Sequence, residues 1–245
     1  MVDRSSLFHP RWIVFHLIVI ALVVVMVNLS LWQFDRMHQR AQFNSTVRAR
    51  ADQPVGALSA VLTPSTPPSA VDWRKVSVTG AYLPGDVEVV NLSQGGAGGR
   101  DVVSALRIAD DGGVLLVNRG FVPSDRPTPP APGGTVHLVG ELRQSEVRGL
   151  GQPSDPGGVV LREVSRVDVP KLAPQFGGHV LPMYLELATS DPPEIAVPVD
   201  PPVLEAGPHL SYAIQWLLFS GGAVVGWVVL VRRRERPLRR RRPTS

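Results

Sequence analysis

Two uninterrupted apolar runs near the ends of the sequence decide most of what the rest can be. Residues 12–32 read WIVFHLIVIALVVVMVNLSLW and residues 210–231 read LSYAIQWLLFSGGAVVGWVVLV, neither with an acid, a lysine or an arginine. A helix rises 1.5 Å per residue, so the 22 residues of the second run extend about 33 Å, enough for a hydrocarbon core of about 30 Å. Both runs predict transmembrane helices. A cleaved signal peptide competes for the first, but its apolar run is long and the following "SLWQFDR" lacks a small-x-small cleavage pattern. An uncleaved anchor is the favoured account.

Charge sets the orientation. Eight arginines fall between Arg232 and Arg242, opposed by Glu235 alone, while residues 35–208 hold fifteen basic and nineteen acidic residues. Arginine beside a hydrophobic helix marks the cytoplasmic side and points to anionic lipid as partner rather than nucleic acid. The flanks of the first span argue less clearly, since Arg36 and Arg40 outweigh Arg4 and Arg11. The stronger signal places both termini in the cytoplasm. The expected order is a cytoplasmic stretch at 1–11, a helix at 12–34, an extracytoplasmic domain at 35–208, a second helix at 209–231 and an arginine-rich tail at 232–245. An apolar run that begins near residue 12 leaves no room for a mitochondrial presequence, so a bacterial plasma membrane is favoured.

Between the spans the chain reads as short β-branched segments separated by Gly-Gly, Asp-Gly and proline-rich punctuation. Strands are expected at 73–83, 87–93, 102–109, 113–122, 135–142, 158–164 and 180–188. The polar stretch 35–51 suits a continuation of the first helix, and "VDVPKLAPQFG" can hold one short helix. The fold class is a membrane protein: two transmembrane helices flanking a β-rich extracytoplasmic domain, a small antiparallel barrel or sandwich with one or two short helices.

The chain contains no cysteine, which excludes a disulfide scaffold, a thiol-redox motif, covalent haem attachment through C-x-x-C-H and a paired-thiolate copper chaperone. "GGAGGR" (95–100) lacks the Lys-Ser/Thr of a phosphate loop and reads as a flexible hairpin loop. The six histidines, His9, His16, His38, His137, His179 and His209, include no i, i+4 pair, and no serine sits in G-x-S-x-G. Nothing here motivates an enzyme. In "LLVNRGFVP" (115–123), Gly120 can take a positive φ and Pro123 ends the ladder. Arg119 is then either a solvated strand-end residue or a fixed cation offered to a carboxylate or a partner.

On the first helix Asn28, Trp32 and Arg36 share one face. Trp32 suits the aromatic belt and Arg36 the headgroups, whereas Asn28, inside the span, should seek a partner helix. On the second, His209, Tyr212 and Trp216 share a face, Gly207-Pro208 marks the start, and Gln215 lies deeper. His209 is either an interfacial residue hydrogen-bonded to water or a loop, or an axial ligand to a lipophilic haem. In a hairpin it stands level with Trp32 or Gln33. His16 lies about 24 Å away along the membrane normal, too far to ligate the same iron.

Taken in order, Leu29-Ser30-Leu31-Trp32-Gln33 with Arg36, then VNRGFVP (117–123), then HLSYAIQW (209–216) resemble the surfeit locus protein 1 family, assembly factors of cytochrome c oxidase. The likeness covers nearly the whole chain and both spans. Ser30 stands where the family usually has glycine, which keeps the position small; Phe121 stands where it usually has tryptophan, which loses an indole N–H. The resemblance implies a non-enzymatic role in maturing oxidase subunit I with transient binding of haem a. His209 would be an axial ligand, Trp32, Arg36, Tyr212 and Trp216 would surround the group, and Arg36 or Arg119 would pair with propionates. Gln33, Asn118, Arg119, Gly120 and Gln215 would face partner subunits. The alternatives are a scaffold or stable accessory subunit that binds no haem, and a membrane-anchored binding or sensor module.

Overall fold

A computed structural model describes residues 9–152, 154–156 and 159–235. The arginines beyond residue 235, residues 1–8 of the expected cytoplasmic stretch, and Gly158 at the head of an expected strand lie outside the described residues. Two compact units are formed, Met1–Ser45 with Leu204–Ser245, and Thr46–Val203.

The first unit is a helix pair. α1 runs unbroken over Pro10–Ala51, 42 residues and about 63 Å, because neither glycine nor proline interrupts the polar continuation after the apolar span. α5 covers His209–Glu235. Both are long and apolar enough to cross a membrane. Residues that turn inward on α1 recur at alternating steps of four and three: His16, Val19, Val23, Met26, Ser30, Gln33 and on to Asn44. On α5 the same steps link His209, Ala213, Trp216, Ser220, Ala223 and Trp227. This is the seam of an antiparallel coiled pair. Ser30 Oγ donates to the Ala213 carbonyl at 2.9 Å, with both residues essentially without solvent exposure. Trp227 meets His16 fourteen residues further along each helix. Small side chains at Ser30 and Ala213 let the backbones approach closely. Asn28 is exposed and donates to the Val24 carbonyl of its own helix at 2.8 Å. The expectation that it seeks a partner helix is corrected: an i to i−4 backbone bond satisfies the amide.

The second unit holds β1 (Gly56–Ala57), α2 (Leu58–Val61), α3 (Pro68–Val71), β2 (Lys75–Tyr82), β3 (Val87–Gln94), β4 (Ala97–Ile108), β5 (Val114–Pro123), β6 (Thr135–Gln144), β7 (Glu163–Val164), α4 (Val169–Leu172) with a 3-10 turn at Ala173–Gln175, and β8 (Val180–Asp191). Among the described residues these strands form one mixed sheet in the order β1-β2-β6-β8-β5-β4-β3-β7, and β2 also pairs with β4. That extra pairing closes β2-β6-β8-β5-β4 into a five-stranded barrel. The sheet is not wholly antiparallel as expected. A closed ring with an odd number of strands cannot alternate throughout, and the parallel neighbours in it are β5 and β8.

Val76, Val78, Leu106, Leu115, Val117, Leu138, Leu142 and Leu185 fill the barrel. Val89, Val103, Ala105, Leu116, Val169, Leu172 and Tyr184 form a second core outside it. β5 is thus buried on both faces, which is why it opens with the unbroken apolar run Val114–Val117 and why the Asn118 and Arg119 that follow are buried too. The glycine-rich stretch is less of a loop than expected. Gly95 and Gly96, at φ +59° and +82°, make the hairpin turn, whereas Gly98 and Gly99 belong to β4. A Cβ on Gly99 would overlap the Phe121 ring, so the glycine serves packing. The strand expected over 158–164 shrinks to β7, because Val159 and Val160 are exposed.

Candidate functional site

The motif at the end of β5 turns inward. Arg119 follows Leu115 and Val117 on the barrel's interior face and is 1% exposed, among the most buried large side chains of the chain. Its Nε and one terminal nitrogen donate to the two oxygens of Glu194, both at 2.8 Å. The other terminal nitrogen reaches Asp86 at 3.4 Å and Ser104 at 3.4 Å. The carbonyls of Pro129 and Pro130 accept at 3.2 and 2.9 Å, and the guanidinium lies 5.6 Å from the Tyr82 ring centre. Burial alone would raise the Glu194 pKa, but the Arg119 hydrogen bond and the Ile195 and Ala196 amides hold it below the ordinary carboxylate range. Of the sequence readings of Arg119, the solvated strand end does not fit, whereas the fixed cation offered to a carboxylate does: Glu194 and Asp86, inside the same domain, take up its donors.

Its neighbours are equally committed. Asn118 donates to Asp101 at 2.8 Å and accepts from the Gly120 amide at 3.1 Å. Gly120 has φ +129°, and a Cβ there would overlap the Val197 carbonyl. Asn118, Arg119 and Gly120, expected to face a partner, instead lock one end of the barrel to the 129–130 loop and the segment after β8.

The helix pair offers a different arrangement. Gly207, at φ +71°, and Pro208 turn the chain into α5, so His209 stands at the helix mouth. Its Nδ1 lies 3.0 Å from Gln33 Oε1 on α1. An amide oxygen only accepts, so Nδ1 carries a proton, and in the neutral ring the lone pair is then on Nε2. At the other end of the pair Trp227 donates its indole N–H to His16 Nδ1 at 2.8 Å. His16 therefore has the opposite tautomer. The two residues that complete these pairs, Gln33 as acceptor and Trp227 as donor, were not foreseen in those roles; the recurring steps of four and three on both helices are the signal that aligns them.

The remaining candidates spread around the pair. Trp216 lies half-buried in the seam, edge-on to Phe219 at 6.1 Å. Trp32 and Tyr212 are about half exposed, and Gln215 is exposed. Arg36 sits 5.7 Å from the Trp32 ring and donates to Gln39 at 3.1 Å. Gln33 and His209 are brought together; Trp32 and Arg36 form a second, exposed pair on α1.

Fold and site define a class: a small closed β-barrel domain carried between two helices of membrane-spanning length, with a histidine at the mouth of the second. The family model described as "SURF1 family" matches residues 20–221, and the chain belongs to that family. It is 32% identical over 232 residues to uncharacterized SURF1-like proteins of Mycobacterium bovis and Mycobacterium tuberculosis, covering 91% of this chain and 84% of each relative. It is 27% identical over 230 residues to a SURF1-like protein of Monosiga brevicollis, covering 86% of this chain and 85% of that one.

Proposed function

We propose that this chain is a membrane-anchored, non-enzymatic factor in the assembly of cytochrome c oxidase, aiding haem a insertion into subunit I or that subunit's maturation. Family membership supports the process. The observation that carries the site is the His209 ring, tied through Nδ1 to Gln33 and left with its lone pair on Nε2. This donor chemistry fits haem iron, which takes a neutral imidazole nitrogen as axial ligand. Gly207 also fits: a Cβ there would come within 3.2 Å of Nε2, so its absence leaves that flank open. The aromatic rings of Trp216 and Trp32 would line the group, and Arg36 would meet a propionate. Haem a bound here supplies the cargo; the chain's own part is to hold one axial position and give it up.

The arginine-rich tail supports a topology with both termini in the cytoplasm and the barrel outside, and the mycobacterial relatives support a bacterial plasma membrane. Complementing a deletion strain tests the function. Wild type and His16→Ala should restore assembled oxidase and carry haem when purified in detergent, whereas His209→Ala should insert and fold but lose haem. Unchanged haem in His209→Ala at equal protein yield would leave a scaffold that binds no haem, and normal oxidase in the deletion strain would remove the assembly role.

A further inference from the structure

Gln33 has the geometry of a group that prepares His209. It lies three residues after Ser30, whose hydroxyl joins the Ala213 carbonyl at 2.9 Å one turn from His209. The close approach of the helices at Ser30 and Ala213 fixes where the Gln33 amide can reach. Its oxygen then lies 3.0 Å from His209 Nδ1, across a separation of 176 residues. A neutral imidazole in water exchanges its proton between the two nitrogens. An acceptor held at Nδ1 selects one tautomer and aims Nε2 away from it. Gly207 keeps the approach to Nε2 clear.

The far end of the same pair serves as an internal contrast. There Trp227 can only donate, so His16 Nδ1 spends its lone pair and Nε2 carries the proton. One helix pair therefore holds one imidazole with a lone pair to give and one without.

We propose that Gln33 is the positioning residue for His209, selecting the Nδ1–H tautomer and, as a neutral amide, keeping the ring a weak enough donor to release its iron. This rests on His209 being an axial ligand. A carboxylate in the same place would accept more strongly, push electron density onto Nε2 and hold the iron longer. The amide suits a ligand that must be surrendered to another protein.

The test uses the full-length protein in detergent, titrated with ferric protoporphyrin IX and, separately, labelled with 15N-histidine without haem. Wild type should show His209 protonated at Nδ1. Gln33→Leu should show a tautomer mixture there, leave His16 unchanged as proof of an intact helix pair, and bind about 10–100-fold more weakly. Gln33→Glu should bind more tightly than wild type, with a lower midpoint potential and slower loss of haem to apomyoglobin. If Gln33→Leu titrates with wild-type affinity and spectrum while His209→Ala does not bind, Gln33 has no positioning role. If His209→Ala itself titrates like wild type, the ligand reading falls and the purpose assigned to Gln33 falls with it.

Discussion

Arg119 and His209 are both polar residues in short motifs, yet the molecule treats them in opposite ways. The Arg119 guanidinium is surrounded by Glu194, Asp86, Ser104, two proline carbonyls and the Tyr82 ring, all within one domain. His209 is half-buried, and among the described residues its ring is hydrogen-bonded through Nδ1, to Gln33. A residue whose donors are all matched internally holds a fold together. One with a fixed partner on one atom and a lone pair on the next is arranged to act. The difference is visible only in the hydrogen-bond ledger, because both residues sit in equally short motifs.

The largest effect should come from breaking the matched side. Arg119→Met leaves Glu194, whose side chain is 7% exposed, as a buried carboxylate without its cation. Removing one partner of a buried pair costs about 3–5 kcal/mol. The β domain should lose that much in urea denaturation of the full chain in detergent, followed by proteolysis of residues 46–203. Unchanged stability with loss of oxidase assembly would invert the comparison and make Arg119 a partner contact.

A smaller effect sharpens the contrast between the two histidines. Trp227→Phe keeps an aromatic ring beside His16 and deletes the donor at 2.8 Å. One such hydrogen bond contributes about 0.5–1.5 kcal/mol. The helix pair should be weakened by that order, and 15N shifts should show His16 relaxing to a tautomer mixture while His209 stays fixed. Movement of both histidines would mean that the two ends are coupled.

Much of this architecture is legible in the sequence. Strands 75–82, 87–94, 114–123 and 135–144 fall within a few residues of the turn punctuation that predicts them. The 42-residue α1 follows from a stretch without helix breakers. The insertion of β8 between β5 and β6 was not legible, because a parallel neighbour introduced from 57 or more residues away leaves no local pattern. The fate of Arg119 was hidden for the same reason: Asp86 and Glu194 lie 33 and 75 residues away. The helix seam was hidden differently. Steps of three and four are written in the sequence, but in a span that is apolar on every face they do not stand out. Gln33 and His209 were placed at one depth by counting residues; that they face each other depends on helix rotation, which Ser30 and Ala213 set.

A pH-dependent effect separates well-matched charge from poorly matched charge inside the β domain. Arg143 is shared between Glu186 at 3.4 Å and Asp72 at 3.6 Å, and its guanidinium also stacks 3.2 Å from the Trp73 ring centre. Glu186 is therefore less fully compensated than Glu194. Burial raises its pKa from 4.5 to about 7, opposed by Arg143 and reinforced by Glu141, Asp101 and Glu146. A carboxyl whose folded pKa is raised binds more protons folded than unfolded, so its contribution to stability is full below 4.5 and is lost as pH rises through about 7. Glu194, with its pKa lowered, contributes in the opposite sense, and that contribution is lost only as pH falls below the ordinary carboxylate range. Glu186→Gln removes the titration while keeping the shape. Urea midpoints of the full chain at pH 5 and pH 7.5 should differ less in Glu186→Gln than in wild type, with the variant relatively more stable at the higher pH. An identical pH slope in the two proteins would show that Arg143 compensates Glu186 as fully as Arg119 compensates Glu194.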